Sequence, residues 1–178
     1  MINKQLILLR HATASPQDKT PENPSGTDFE RPLSARGIME AQKLGRWMAD
    51  HIEQPELIIS SSAKRARQTT EQVCAQCGWS ADLITLTRSI YSADSPTIHK
   101  ITTTYPEDRS RLMIVGHNPG LEQVLRELDP NVKPEKGQPL MGVASIALIA
   151  LTRPTDMSSR FEAKTERLLQ VDQLDQTG

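Results

Sequence analysis

Short apolar segments alternate with amphipathic ones along most of the chain, and this alternation most constrains the fold. The apolar segments have the length of strands and occupy residues 5–9, 57–59, 83–86, 111–115 and 143–151. Between them, apolar residues recur every three or four positions, which is the spacing of an amphipathic helix. Strands that alternate with helices pair into a mostly parallel sheet. We therefore predict an α/β fold, a three-layer sandwich with a mostly parallel central sheet and helices on both faces.

Other segments are predicted from their turn and capping residues. Residues 12–32 are rich in Pro, Ser and Gly and predict a long loop, and Ser34 after it is suited to cap a helix. A second helix is predicted from Ala63 to Cys77, ending near Gly78. A third is predicted from Ser95 to Tyr105, and Asn118 is expected to cap a fourth, with Pro in its first turn. Residues 161–174 are ambiguous, because their first half alternates weakly and their second half suits a helix.

Composition places the chain among ordinary globular proteins. Its 178 residues fit one domain, so we predict a single domain over residues 1–178. The formal net charge of −1 gives no reason to expect a nucleic-acid partner. No apolar run approaches the ~20 residues of a membrane span, and the start of the chain lacks a signal-peptide core. We therefore expect a cytoplasmic protein with no membrane partner.

Polar side chains follow three of the predicted strands where each strand ends. Arg10 and His11 follow the first, Ser60–Ser62 follow the second with Arg65 one helical turn later, and His117 follows another. Ligands of such folds bind beyond the carboxyl ends of the strands, so we expect these residues to meet there. Two Arg and two His side chains suit a phosphoryl group, since guanidinium grips two phosphate oxygens and neutral imidazole is a nucleophile.

Four sequence motifs resemble those of one family. They are Leu8-Leu9-Arg10-His11-Ala12, Arg31-Pro32-Leu33-Ser34-Ala35-Arg36-Gly37, Ser61-Ser62-Ala63-Lys64-Arg65-Ala66-Arg67-Gln68-Thr69 and Val115-Gly116-His117-Asn118-Pro119-Gly120. In this order they resemble the histidine phosphatase superfamily, the phosphoglycerate-mutase-like fold, and most of all its SixA-like phosphohistidine phosphatases.

The resemblance implies a role for each matching residue. Arg10 and Arg65 would bind the phosphoryl group, His11 would be the nucleophile that becomes phosphorylated, and His117 would bond the transferring group. Asn118 would add a contact to the substrate. Arg31 is otherwise a surface or capping residue, and we include it as a second candidate substrate-binding residue. The family pattern implies no metal and no other cofactor.

Two departures from the family pattern carry information. Position 12 is Ala where Gly is usual, so the turn after the first strand must use an ordinary backbone region. Residues 88–94 lack the glutamate that larger members use to protonate a leaving oxygen. The alternative acids are Asp94, which is the carboxylate of that stretch, and Asp28 and Glu30 of the loop 12–32. A site without a strong acid favours P–N substrates, because imidazole leaves more readily than an alkoxide.

We therefore predict a metal-independent phosphatase that forms a phosphohistidine intermediate and acts on phosphohistidine of a signalling protein. Hydrolysis of a small phosphate monoester is the alternative with the same chemistry, and a non-catalytic phosphate-binding module is the alternative from another class. Cys74 and Cys77 resemble half of a zinc motif, but a second ligand pair is lacking and core packing is expected instead. The sequence gives no prediction of oligomeric state.

Overall fold

The computed structural model describes residues 2–103, 109–134, 137–153 and 162–176. The strands are β1 Ile2–Arg10, β2 Leu57–Ser61, β3 Ile84–Thr87, β4 Arg111–Gly116, β5 Ile146–Arg153 and β6 Glu162–Leu169. The helices are α1 Ala35–His51, α2 Lys64–Cys77, α3 Ser95–Thr103 and α4 Gly120–Leu128. Short 3₁₀ turns cover Ala81–Leu83, Arg88–Ile90 and Val171–Gln176.

One six-stranded sheet runs through the described part of the chain, in the order β3-β2-β4-β1-β5-β6. The pairs among β3, β2, β4 and β1 are parallel, whereas β5 pairs antiparallel with β1 and with β6. The predicted mostly parallel sheet is confirmed. The ambiguous C-terminal segment adds an antiparallel edge strand followed by a 3₁₀ turn, so its second half is not an α-helix.

Two apolar cores lie on opposite faces of the sheet. Successive side chains of β1 alternate between them, with Ile7 in one core and Leu8 in the other. Helices α1 and α2 contribute to the first core, and α3 and α4 contribute to the second. A strand buried on both faces reads as a continuous apolar run, which is why β1 and β4 were recognisable from sequence. The predicted helices on both faces are confirmed.

One predicted helix cap is confirmed and another is wrong. Ser34 caps α1 as expected, since its side chain accepts a hydrogen bond from the Gly37 N–H. The expectation that Asn118 caps α4 is wrong, because the cap residue is Pro119 and the Asn118 amide bonds to Glu122 and Met141 instead. Helix α3 begins at Ser95 as predicted, and Tyr105 lies outside the described residues.

The two cysteines pack where an apolar group would. Cys74 is buried in the first core, and the half-buried Cys77 thiol donates to the Gly45 carbonyl. Within the described ranges, no group of three or more His, Cys, Asp and Glu side chains is placed to hold a metal ion. None of the helices in those ranges has the length and apolar character needed to cross a membrane.

Candidate active site

The sheet brings the predicted polar residues to one edge. Strands β1, β2 and β4 are parallel neighbours and end at Arg10, Ser61 and Gly116, so the residues that follow them share that edge. The His11 and His117 rings lie with their centroids 5.0 Å apart. Arg65, in the first turn of α2, places its Nε 3.3 Å from the Nε2 of His11. His11, Arg65 and His117 are each at most 9% exposed.

The hydrogen bonds of His11 assign its tautomer. Its Nδ1 lies 2.8 Å from the carbonyl oxygen of Ala12, which only accepts, so Nδ1 carries the proton. Its Nε2 accepts from Arg65 and therefore carries the lone pair. The nitrogen with nucleophilic character thus points to the guanidinium that the sequence predicts as a phosphate ligand.

Ser61 orients the second ring. Its Oγ accepts from the Ala63 N–H and lies 2.9 Å from the Nε2 of His117. No other acceptor for the Ser61 hydroxyl is described, so we infer that the hydroxyl donates to this Nε2. This pairing leaves the proton of His117 on Nδ1. That Nδ1 is buried and has no hydrogen-bond partner among the described residues. A buried N–H without a partner is costly, and a phosphoryl oxygen would satisfy it.

Arg10 is held by the segment before β5. Its Nη1 donates to the Met141 carbonyl at 2.7 Å, and the Asn118 amide donates to the same carbonyl. Its Nε is buried without a partner in the described part of the chain. Burial lowers the pKa of Arg10, with a smaller lowering from Arg65, while Glu122 acts in the opposite direction. The Asn118 amide therefore shares an acceptor with Arg10, and its buried Oδ1 has no partner among the described residues. The substrate contact of Asn118 stays a prediction.

Asp28 connects the long loop to the site. Arg65 donates to both the carbonyl oxygen and the carboxylate of Asp28, at 2.6 and 2.9 Å. The same carboxylate accepts from Arg31 and from the Tyr91 hydroxyl, both at 2.9 Å. Burial alone would raise the pKa of Asp28, but the hydrogen bonds and charges of Tyr91, Arg65 and Arg31 lower it overall. Arg31 therefore reaches the site through Asp28.

Both histidines are held neutral. Burial lowers the pKa of His11 to about 4; the hydrogen bond to the Ala12 carbonyl opposes this shift, and the positive charges of Arg65, Arg10 and Arg31 each add a smaller lowering. Burial, followed by His11 and Arg65, lowers the pKa of His117 to about 3, and Asp28 opposes this shift. Neutral imidazole is the form that can attack phosphorus, so both rings stand in that form at neutral pH.

A cleft of about 340 Å³ opens beside the two rings. It is lined by Asp28, Arg65, Tyr91, Ser92, Ala93, Asp94, His117, Asn118, Pro119 and Gln123. A larger groove of about 560 Å³ lies at the other end of the sheet, near Lys4 and Arg111, and contains none of the predicted site residues. The chemistry of the first cleft, not its size, makes it the candidate site.

The three alternative acids occupy different places. Asp28 is ion-paired in the cleft. Asp94 lines the cleft and accepts from the Thr97 N–H at the start of α3. Glu30 is exposed and is absent from the cleft lining.

Several residues of the site escaped sequence reasoning. Ser61, Gln68 and Thr69 belong to one recognised motif, yet their roles emerge only in the fold. Gln68 accepts from the Leu33 N–H, and Thr69 accepts from the Ala12 N–H, so the motif positions the chain around His11. Tyr91 could have been singled out in the sequence only by its residue type, because aromatic residues make up only 3% of the chain. Ala12 adopts an ordinary backbone region as predicted, since the described non-glycine residues with positive φ are Ser92 and Ala144.

The sequence and the fold are similar to those of one class of proteins. Residues 6–89 match the model of the histidine phosphatase superfamily (branch 1). The mixed sheet with helices on both faces matches solved structures of SixA proteins over nearly the whole chain. The chain is thus similar to the histidine phosphatase superfamily in part of its sequence and in its fold.

Two of the similar solved structures are SixA proteins. A solved SixA structure from Agrobacterium tumefaciens is 26% identical, with a TM-score of 0.70 over 93% of this chain and 97% of that one. The structure of the protein histidine phosphatase SixA complexed with tungstate has a TM-score of 0.74 over 96% of this chain and 99% of that one, and its 19% identity shows the fold alone.

One curated relative matches about two thirds of this chain. An uncharacterized chloroplastic protein of Arabidopsis thaliana is 35% identical over 68% of this chain. The chain spans 57% of that relative's length. The cytoplasmic location expected from the sequence stays a prediction beside a chloroplastic relative.

Proposed function

We propose that this protein is a phosphatase that transfers a phosphoryl group to Nε2 of His11 and then to water. The observation that carries the proposal is the tautomer of His11. Its Nδ1–H is committed to the Ala12 carbonyl, and its Nε2 lone pair lies 3.3 Å from the Nε of Arg65, with the His117 ring 5.0 Å away between centroids.

In the first step, Nε2 of His11 attacks phosphorus while the bond to the leaving group breaks. Arg10, Arg65 and the Nδ1–H of His117 would receive the phosphoryl oxygens, so that the two buried unpaired donors gain partners. His11 keeps its Nδ1 proton and becomes a phosphorylated imidazolium that the Ala12 carbonyl stabilises.

In the second step, water attacks phosphorus and the P–N bond of His11 breaks. The electron pair returns to Nε2, the proton of the water leaves with inorganic phosphate, and His11 is again neutral. A phosphorylated imidazolium is a good leaving group, because the departing ring is neutral. No proton has to be delivered to His11 in this step.

The substrate we propose is phosphohistidine of a signalling protein. The likeness to SixA structures supports this substrate, and so does the fate of the alternative acids. Glu30 is exposed outside the cleft, Asp94 is engaged at the start of α3, and Asp28 is held ionised by its cationic neighbours. An alkoxide would lack a proton donor here, whereas imidazole would not need one.

Acid-labile labelling with ³²P tests the nucleophile. We expect wild type to take up label from a phosphohistidine peptide and His11→Ala to take up none. Because Arg10 and Arg65 remain, His11→Ala should still bind tungstate or phosphate in calorimetry, which also shows that it is folded. Absence of label on wild type would leave a phosphate-binding module and would refute the enzyme.

A pair of peptides tests the substrate class. We expect wild type to hydrolyse a phosphohistidine peptide far faster than a phosphoserine peptide of the same sequence. Equal rates on the two peptides would favour the hydrolysis of phosphate monoesters instead.

A further inference from the structure

Charged groups of opposite sign lie around the two histidines. The guanidinium groups of Arg65, Arg10 and Arg31 all act to lower the pKa of His11. The lining of the neighbouring cleft includes two carboxylates, Asp28 and Asp94, and the cation that it contains, Arg65, is already paired with Asp28. A phosphoryl group bound by the guanidinium groups beside His11 would direct its leaving group toward these carboxylates.

The Tyr91 ring adds a flat aromatic surface beside the carboxylate of Asp28 and the ring of His117. It stands edge-on to His117 at 5.6 Å and to Phe29 at 5.0 Å. Its hydroxyl donates to Asp28, which fixes the ring beside the carboxylate. Aromatic rings next to carboxylates suit flat cations, which gain both a cation–π contact and a hydrogen bond.

Asp28 retains the capacity for a further hydrogen bond. A carboxylate accepts about four hydrogen bonds. The contacts described for Asp28 use one site on Oδ1, for Arg31, and two on Oδ2, for Arg65 and Tyr91. The side chain is 33% exposed, so a ligand in the cleft can approach it.

We propose that Asp28, Asp94 and Tyr91 form a subsite for the leaving group that selects a cationic ring, the protonated imidazole of phosphohistidine. This inference rests on the proposed function and adds a reason for its substrate class. The same carboxylates repel small phosphate esters that carry further acidic groups.

The chemistry balances without a catalytic acid. The substrate ring carries phosphorus on one nitrogen and a proton on the other, and that N–H donates to a carboxylate of the subsite. As Nε2 of His11 bonds to phosphorus, the substrate's P–N bond breaks and its electron pair stays on the substrate nitrogen. The ring leaves as neutral imidazole with its original proton. The carboxylates hold the substrate in its protonated, reactive form.

The test compares two leaving groups in matched variants. We would measure kcat/KM for a phosphohistidine peptide that has no other charged residue, and for p-nitrophenyl phosphate. The leaving group of p-nitrophenyl phosphate requires neither a proton nor a cation site. In Asp28→Asn, we expect the ratio of the two values to fall about fivefold to tenfold, as for loss of one partly exposed charge pair. Asp94→Asn should lower the ratio less, because Asp94 is exposed.

The control is Asp18→Asn, which removes the same charge from an exposed position of the same loop. It should keep the wild-type ratio. Raised salt should narrow the difference between wild type and Asp28→Asn, because salt screens the charge. An equal loss on both substrates, or an unchanged ratio both in Asp28→Asn and in the Asp28→Asn/Asp94→Asn double variant, would overturn the subsite.

Labelling separates this inference from the function beneath it. Wild type that takes up ³²P label but shows an unchanged ratio in the variants refutes the subsite alone. Wild type that takes up no label refutes the phosphatase and, with it, the subsite.

Discussion

At the scale of single residues, the candidate site depends on which nitrogen of each imidazole holds a proton. Backbone and hydroxyl groups decide this for both rings: the Ala12 carbonyl for His11 and the Ser61 hydroxyl for His117. The two neighbouring rings consequently differ in the group left available, a lone pair on Nε2 of His11 and an N–H on Nδ1 of His117. One ring can attack phosphorus while the other donates to its oxygen.

Removing the Ser61 hydroxyl tests this division of roles. In Ser61→Ala the His117 ring loses the partner that sets its tautomer, so its donor is misplaced in the transition state. We expect kcat to fall about tenfold or more, as for a weakened oxyanion donor, with little change in KM. Steady-state kinetics on the phosphohistidine peptide would measure both values.

The neighbouring Ser62→Ala is the matched control, since Ser62 has no described side-chain contact to the ring. It should keep the wild-type kcat. A Ser61→Ala variant with wild-type kcat would contradict the orienting role of Ser61.

At the scale of elements, helix α1 supports the turn that follows β1. Ser34 donates to the Thr13 carbonyl, and Glu40 accepts from the Thr13 N–H. Gly37 lies so close that an added Cβ would stand 2.0 Å from the Thr13 oxygen. The first turns of α1 therefore hold the backbone two residues beyond His11, and a side chain at position 37 would push that backbone away.

Two glycines of α1 allow this support to be separated from general stability. Gly45 is also tightly packed, and a Cβ there would meet Gln76 and Val73 of α2. We expect Gly37→Ala and Gly45→Ala each to cost about 1–3 kcal/mol of unfolding free energy through overpacking. Only Gly37→Ala should also weaken tungstate binding and labelling of His11.

Denaturant unfolding and calorimetry would measure the two effects. If the variants impair tungstate binding equally, α1 does not support the site through Thr13.

At the scale of the whole molecule, folding places two neutral histidines beside a group of arginines. The unfolded chain would protonate both rings near their ordinary pKa of 6.5, whereas the folded pKa values are about 4 and about 3. The unfolded state therefore binds more protons in this window. Stability rises with pH through it and is lost as the pH falls below about 6.5.

Unfolding by urea at several pH values tests this linkage. Between pH 6 and pH 4.5, each histidine should remove up to about 1.4 kcal/mol of unfolding free energy per pH unit of acidification. The His11→Gln/His117→Gln double variant should show a shallower dependence on pH. His51→Gln, which removes an exposed histidine at the end of α1, is the control.

Parallel pH profiles for wild type and the double variant would contradict the folded-state pKa values. The prediction of a single domain over residues 1–178 belongs to the same scale and stays a prediction.

Sequence reasoning predicted those parts of the molecule whose signal is local. The runs at β1 and β4 are buried on both faces, the short apolar run at β2 is at least half-buried on both, and all three were readable as strands. Ser34 was readable as a cap. The rule that ligands bind at the carboxyl ends of strands predicted from the sequence that Arg10, His11, Arg65 and His117 lie close together. Strand β6 was not readable, because its residues alternate between exposed and half-buried positions with no continuous apolar run.

The order of residues along this chain determined a mostly parallel sheet and four side chains that gather at its edge, because burial and strand ends leave periodic marks in sequence. Only the tertiary structure decided that Asp28 bridges Arg65, Arg31 and Tyr91, that Ser61 contacts His117, and that Asn118 and Arg10 donate to the same Met141 carbonyl. These pairings join positions distant along the chain, mostly through single side-chain hydrogen bonds. Such contacts leave no periodic pattern and no local compositional signal in the sequence, so they can be identified only in the folded structure.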